Sequence, residues 1–150
     1  MKISEKQNME KVTSSEKATI PGPTLFVMMN HTLTAEQMKD AECWLGVEKV
    51  RCMPENLKKV WENIPPELPE IRHLLVPFEK WLEGAARKND VVLIQGDFGV
   101  CYLMVNLVLK KGLVPVYATT KREVVEVPQA DGSVRTERHF RHVMFRKYGE

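Results

Sequence analysis

The stretch Val91-Val-Leu-Ile-Gln-Gly-Asp-Phe-Gly99 decides the fold. Four aliphatic residues in a row, Val91 to Ile94, lack the alternation of a half-exposed strand. They suit a parallel strand covered on both faces. Gly96 and Gly99 then predict a loop whose backbone takes angles other residues resist and lets a ligand come close. The apolar segment that follows, Phe98 to Lys110, reads as a helix. Its first N–H groups would point at the loop and favour an anion. Strand, glycine loop and helix together form the generic phosphate-binding unit of α/β folds. The spacing is G-x-x-G, which matches neither the Walker loop nor the dinucleotide fingerprint. A tight strand-to-helix turn with no ligand accounts for the same pattern.

Upstream, Thr24-Leu-Phe-Val-Met-Met29 reads as a first buried strand, with the loop Asn30-His-Thr-Leu33 behind it. Thr34-Ala-Glu-Gln37 has the form of a capping box, and the helix it opens runs to Leu45, where Gly46 stops it. Glu48 to Met53 alternates and belongs nearer a sheet edge. A short helix covers Pro54 to Trp61, and Asn63-Ile-Pro-Pro-Glu-Leu68 breaks it. Leu74, Leu75, Phe78, Trp81 and Leu82 fall at helical spacing, with Pro77 kinking or restarting that helix.

Downstream, Leu113 to Ala118 is expected to be a strand, with Thr119-Thr-Lys-Arg122 following its C-terminal end. Val124–Val127 and Val134–Phe145 bracket a turn at Asp131-Gly132, the pattern of an antiparallel hairpin. The order predicts an α/β fold: one domain over residues 23–150, with a mainly parallel sheet and a C-terminal antiparallel hairpin. Residues 1–22 are polar, end in Pro-Gly-Pro, and read as a mobile leader outside the core.

The chain has 150 residues and a formal net charge of +2, which gives no sign of a DNA-coating surface. From Thr119 to Tyr148 seven basic residues face four acidic ones, against 15 and 16 in the remainder. Positive potential therefore gathers at the C-terminal end. Cys43, Cys52 and Cys101 are far apart and share no metal-ligand spacing with the histidines, so free thiols in a reducing cytoplasm are expected. No apolar run reaches membrane-spanning length, so no membrane partner is expected. The Val100–Leu109 helix is apolar nearly all round. The sheet covers one side and a second copy of the chain is expected on the other.

In parallel sheets ligands gather beyond the C-terminal strand ends. Asn30-His31-Thr32, Gln95-Gly96-Asp97-Phe98-Gly99 and Thr119-Thr120-Lys121-Arg122 meet that description. They offer hydroxyls, amides, two cations, one imidazole and one aromatic face.

These segments, with Asn63-Ile-Pro-Pro-Glu67 and Phe140-Arg-His-Val-Met-Phe-Arg146, resemble the small stand-alone ring nucleases of type III CRISPR systems. The resemblance spans residues 24 to 148. It implies a Rossmann-like fold akin to the CRISPR-associated (CARF-like) sensor domains, a homodimer, and cyclic tetra-adenylate as ligand. The implied activity is linearisation of that ring without metal or cofactor, through attack of each ribose 2′-hydroxyl on its own phosphate. Such chemistry asks the protein to hold an in-line geometry and to stabilise phosphoryl charge. Under this reading Lys121 or Arg122 supplies the charge and His31 transfers a proton. Asn30, Thr32, Gln95, Thr119 and Thr120 contact the ligand, as does the Gly96–Gly99 loop, with Phe98 stacking on an adenine. Asp97 orients a cation or ribose, or caps the helix. Arg141, His142 and Arg146 alternate along a strand, as on a solvated face. The same pocket without cleavage would sequester the messenger, and a third reading gives the hairpin an RNA or effector to bind.

Overall fold

The computed structural model describes residues 19–150. Ten elements follow in order: β1 (Thr24–Met28), α1 (Ala35–Leu45), β2 (Lys49–Cys52), α2 (Glu55–Glu62), a 3-10 turn (Arg72–Leu75), α3 (Val76–Ala85), β3 (Val91–Ile94), α4 (Phe98–Lys110), β4 (Val114–Pro128) and β5 (Val134–Lys147). The five strands form one sheet in the order β2-β1-β3-β4-β5. β2, β1, β3 and β4 run parallel, and β5 returns antiparallel to β4. This is the Rossmann-like α/β architecture that the β3 stretch predicts. The expected leader lies outside the described residues up to residue 18. Its last part already packs: a Cβ on Gly22 would sit 2.7 Å from the Gly46 carbonyl oxygen.

Every side chain of β1 and β3 is buried, so the alternation of a strand sends its residues to two cores. Phe26, Met28, Val92 and Ile94 meet Leu57, Trp61, Phe78, Leu82, Val100, Met104 and Val108 from α2, α3 and α4. Leu25, Val27, Met29, Leu93 and Val116 face the other way, onto Ala41 of α1 and Phe145 of β5. At the amino end of the sheet, Asp90 is buried and its carboxylate accepts from the Thr24 and Arg87 N–H groups, tying β1 to β3.

The local signals hold where chemistry dictates them. Thr34 and Gln37 form the reciprocal capping box, and Gly46 ends α1 at φ 64°. Pro77 restarts the chain as α3 instead of kinking a longer helix, because it sits in the first turn where no backbone donor is lost. Gly132 turns the hairpin at φ 83°, with Asp131 accepting from the Ser133 N–H.

One expectation fails. Thr119 to Arg122 is not a loop after a strand; it lies inside β4, which runs unbroken from Val114 to Pro128. No glycine or proline interrupts Tyr117 to Val127, and threonine and valine favour the extended form. A register shift between Thr119 and Thr120 bends the pair there. The Thr119 hydroxyl donates to the Met144 carbonyl and accepts from the Met144 N–H, so it is spent on holding that bend.

Candidate functional site at the carboxyl end of the sheet

β1 leads into α1 on one face of the sheet, and β3 leads into α4 on the opposite face. The chain therefore leaves two adjacent parallel strands in opposite directions. The crevice so opened lies between Asn30-His31-Thr32 and the Gln95–Gly99 loop, the place where open α/β sheets bind ligands. Asn30, His31 and Thr32 are exposed there, as are Gly96, Asp97, Phe98 and Gly99. Phe98 is 96 % exposed, an unusual position for an aromatic ring at a helix start.

Gln95 pins the crevice floor. Its Oε1 accepts from the Ala118 N–H at 3.2 Å, bridging β3 to β4, and its carbonyl accepts from the Trp61 indole N–H at 3.0 Å. The glycines do not take the unusual backbone angles expected of them. Neither Gly96 nor Gly99 has a positive φ. A Cβ on Gly96 would meet Trp61 Nε1 at 2.8 Å, and one on Gly99 would meet Ile71 Cδ1 at 3.1 Å. Close packing on Trp61 of α2 leaves no room for a Cβ at Gly96, and a Cβ at Gly99 would crowd Ile71.

Asp97 resolves as a helix cap. Its Oδ1 accepts from the Val100 N–H at 3.0 Å, satisfying one of the first donors of α4. One of the expected anion-binding donors at that helix start is therefore taken by a carboxylate of the chain itself, which complements the helix dipole. Lys121 and Arg122 are both exposed. As neighbours in a strand they point to opposite faces: Lys121 shares the face of Tyr117, and Arg122 that of Ala118. His31 leaves the sheet two strands from β4, roughly 10 Å across. The structure thus brings the three segments to one end of the sheet and separates the two cations by face.

Beside the crevice, on the α4 side, lies a cavity of about 490 Å³ lined by Gln95, Gly96, Phe98, Cys101, Tyr102, Val105, Tyr117 and Tyr148. Sequence reasoning missed most of this wall. The Tyr148 hydroxyl donates to the Ile94 carbonyl at 2.7 Å, and its ring packs on Tyr117 with centroids 4.8 Å apart. Burial pushes the Tyr148 phenol up to about 12. Arg146 stacks over Tyr117 and donates to its hydroxyl at 3.1 Å. Burial, and secondarily the Asp97 charge, also raises the Cys101 thiol, partly offset by a hydrogen bond from the Gly96 backbone.

Arg141 and Arg146 lie on the exposed surface, as expected. His142 does not. Its side chain is 6 % exposed, and its Nε2 lies 2.9 Å from Asp40 Oδ2, which also accepts from the Phe145 N–H. The expected solvated histidine is a clasp between β5 and α1, because the extra residue at the bend of β5 turns it inward. Among the described residues no three His, Cys, Asp or Glu side chains are grouped to hold a metal ion, and no helix is long and apolar enough to cross a membrane.

A family model described as the uncharacterized protein MJ1673 family matches residues 23–146. The chain belongs to the MJ1673 family. The Methanocaldococcus jannaschii protein that bears this name is 44 % identical over 126 residues, covering 84 % of the chain and 97 % of that protein. The MJ1673 match therefore takes in β1 through most of β5, with the crevice, Gln95, Lys121 and Arg122 inside it, and stops just short of Tyr148. No solved structure matches the chain.

Proposed function

We propose that this protein is a CRISPR-associated ring nuclease that binds cyclic tetra-adenylate and linearises it, switching off type III antiviral signalling in the cytoplasm. The observation that carries the reading is the crevice where β1 and β3 diverge. It lies between two of the segments whose sequences resemble the ring nucleases, Asn30-His31-Thr32 and Gln95–Gly99, with Thr119–Arg122 in β4 at the same end of the sheet. The nucleophile belongs to the substrate: a ribose 2′-hydroxyl attacks the adjacent phosphate, the P–O bond to the 5′-oxygen breaks, and a 2′,3′-cyclic phosphate and a 5′-hydroxyl result. The protein needs no metal in this scheme, only alignment and charge. Lys121 meets the phosphate on the Tyr117 face, Arg122 serves the opposite face, and His31 moves the proton. Thr32, Asn30 and Thr120 contribute exposed polar groups at the crevice rim.

The active form in this proposal is a two-fold homodimer, since a rotationally symmetric ring is well matched by two copies of one surface. α4 supports it: Tyr102 and Leu109 stand exposed on a helix whose inner face is buried through Val100, Met104 and Val108. No DNA or membrane partner is invoked. The second reading, sequestration of the intact ring, uses the same residues. Incubation with excess cyclic tetra-adenylate in the presence of a chelator separates the two. Multiple turnovers to linear product support the nuclease, and stoichiometric retention of intact ring supports sequestration.

A further inference from the structure

Past Val116, where its ladder with β3 ends, β4 is paired with β5 alone, and the two strands continue as a ribbon to the turn at Gly132. From Lys121 to Pro128 this ribbon runs roughly 25 Å. Residues directly opposite in an antiparallel pair share a face, and the faces alternate along each strand. One face therefore carries Arg135, Glu137, His139 and Arg141, and the other carries Arg122 across from Phe140 and Val124 across from Arg138. The first face settles its own charges: Arg141 lies against Glu36, and Arg135 and His139 lie against Glu137. The second does not. Every residue on it is exposed, with Phe140 at 71 % and Val124 at 62 %. Among the described residues neither Arg122 nor Arg138 has a carboxylate partner, and no ring or guanidinium stacks on Phe140. Glu126 lies on this face one step nearer the tip, so its positive half is the one next to the bend.

We infer that this face of the ribbon is a docking surface for single-stranded nucleic acid, with Phe140 stacking on a base and Arg122 and Arg138 meeting the phosphates beside it. Arg122 stands across from Phe140 and Arg138 follows two residues along the same strand, so both cations start within about 5–8 Å of the ring's backbone. An open aromatic face among unpaired cations is what a single strand uses, because its bases are free to stack and its phosphates lie alongside. A duplex fits worse. Its bases are already stacked, and Phe140 and Val124 offer no hydrogen-bonding group to a base edge. The major groove of an RNA duplex is too narrow for side chains to read. An acidic protein segment would meet the arginines, but a flat two-stranded face has no pocket to anchor its side chains. RNA and DNA single strands share the chemistry that this face recognises. The surface goes beyond the ring-nuclease reading and shares only Arg122 with it.

The test is fluorescence anisotropy of the full chain with labelled, adenine-free single strands of about 12 nucleotides, one of RNA and one of DNA. Binding of either strand is expected, and the tighter of the two identifies the sugar. Two neutralised phosphates give a slope of log affinity against log salt of about −1.4, which Arg138→Ala should flatten by about 0.7. Phe140→Ala should weaken binding about tenfold, and Phe140→Tyr, which keeps a ring, should retain it. Both positions are exposed, so the variants keep the core, and thermal unfolding checks that they do. The matched duplex should bind at least about tenfold more weakly. No binding of either strand at low salt, equal affinity for the duplex, or wild-type affinity in Phe140→Ala would overturn the inference. A Phe140→Ala variant that changes only the oligomeric state would overturn it too, giving the face to contact between copies. Ring cleavage by the same variants keeps the two proposals apart, since Arg138 and Phe140 stand outside the crevice machinery. Loss of the strand with cleavage unchanged supports the surface. Strand binding by a chain with no action on the ring supports the surface and removes the ring-nuclease reading. Loss of strand and ring together in Phe140→Ala would merge the face with that site and overturn it as a separate surface.

Discussion

Gly96 and Trp61 meet with no space between them: a Cβ at residue 96 would lie 2.8 Å from the indole nitrogen, which in turn donates to the Gln95 carbonyl. The loop that shapes the crevice is therefore set by a side chain from α2. Gly96→Ala should displace Trp61, cost about 1–3 kcal/mol, and lower the midpoint of denaturant unfolding. Trp61→Phe relieves nothing at Gly96's backbone but leaves the Gln95 carbonyl without its donor. It should weaken ligand binding more than its loss of stability alone explains. Unfolding curves and ligand titrations of the two variants check both statements.

Asp97 caps α4 through the Val100 N–H. Asp97→Ala should lose about 0.5–2 kcal/mol of stability. It should also tighten binding of a phosphate-bearing ligand, because a carboxylate is removed from the crevice. Thermal unfolding and ligand titration measure the opposite signs directly.

Tyr148 gives the alkaline behaviour. Its proton is held more tightly in the fold than in the unfolded chain, where a phenol titrates near 10.0; the folded value is about 12. The folded state therefore keeps this contribution below pH ~10 and loses it as pH rises towards about 12. Tyr148→Phe should remove that part of the alkaline decline, and the phenolate absorbance of the wild type should show one tyrosine titrating late.

The sheet, the four α-helices and the turn at Gly132 were legible because periodicity and capping chemistry are local. Val91–Ile94 announced a strand buried on both faces, and Thr34 with Gln37 announced a helix start. The length of β4 was not legible. Thr119 to Arg122 reads as polar punctuation in isolation, and only pairing with β5 makes it strand. Gly96 reads locally as a point of backbone freedom, whereas its need for glycine comes from Trp61, distant in sequence. The Asp40–His142 clasp and the Tyr148–Ile94 contact join residues 102 and 54 positions apart. No local pattern encodes such pairs.

The catalytic assignments lead to unequal effects. Lys121→Ala should reduce ring affinity or turnover about ten- to a hundredfold, the loss of one charge-assisted contact, and Arg122→Ala should cost less. His31→Ala should slow single-turnover cleavage by about 10²–10⁴ while leaving binding within a few fold. Rapid-quench kinetics alongside equilibrium titration distinguishes a lost proton transfer from a lost contact.

End-group analysis of the product tests the central claim most directly. The protein is mixed with cyclic tetra-adenylate in chelator, and the linear product is examined by mass spectrometry and by treatment with a phosphatase. The account predicts linear oligoadenylates with a 5′-hydroxyl and a 2′,3′-cyclic phosphate, resistant to phosphatase until the cyclic ester is opened. A product carrying a 5′-phosphate and a free 3′-hydroxyl, or cleavage that appears only when a divalent metal is restored, would contradict it.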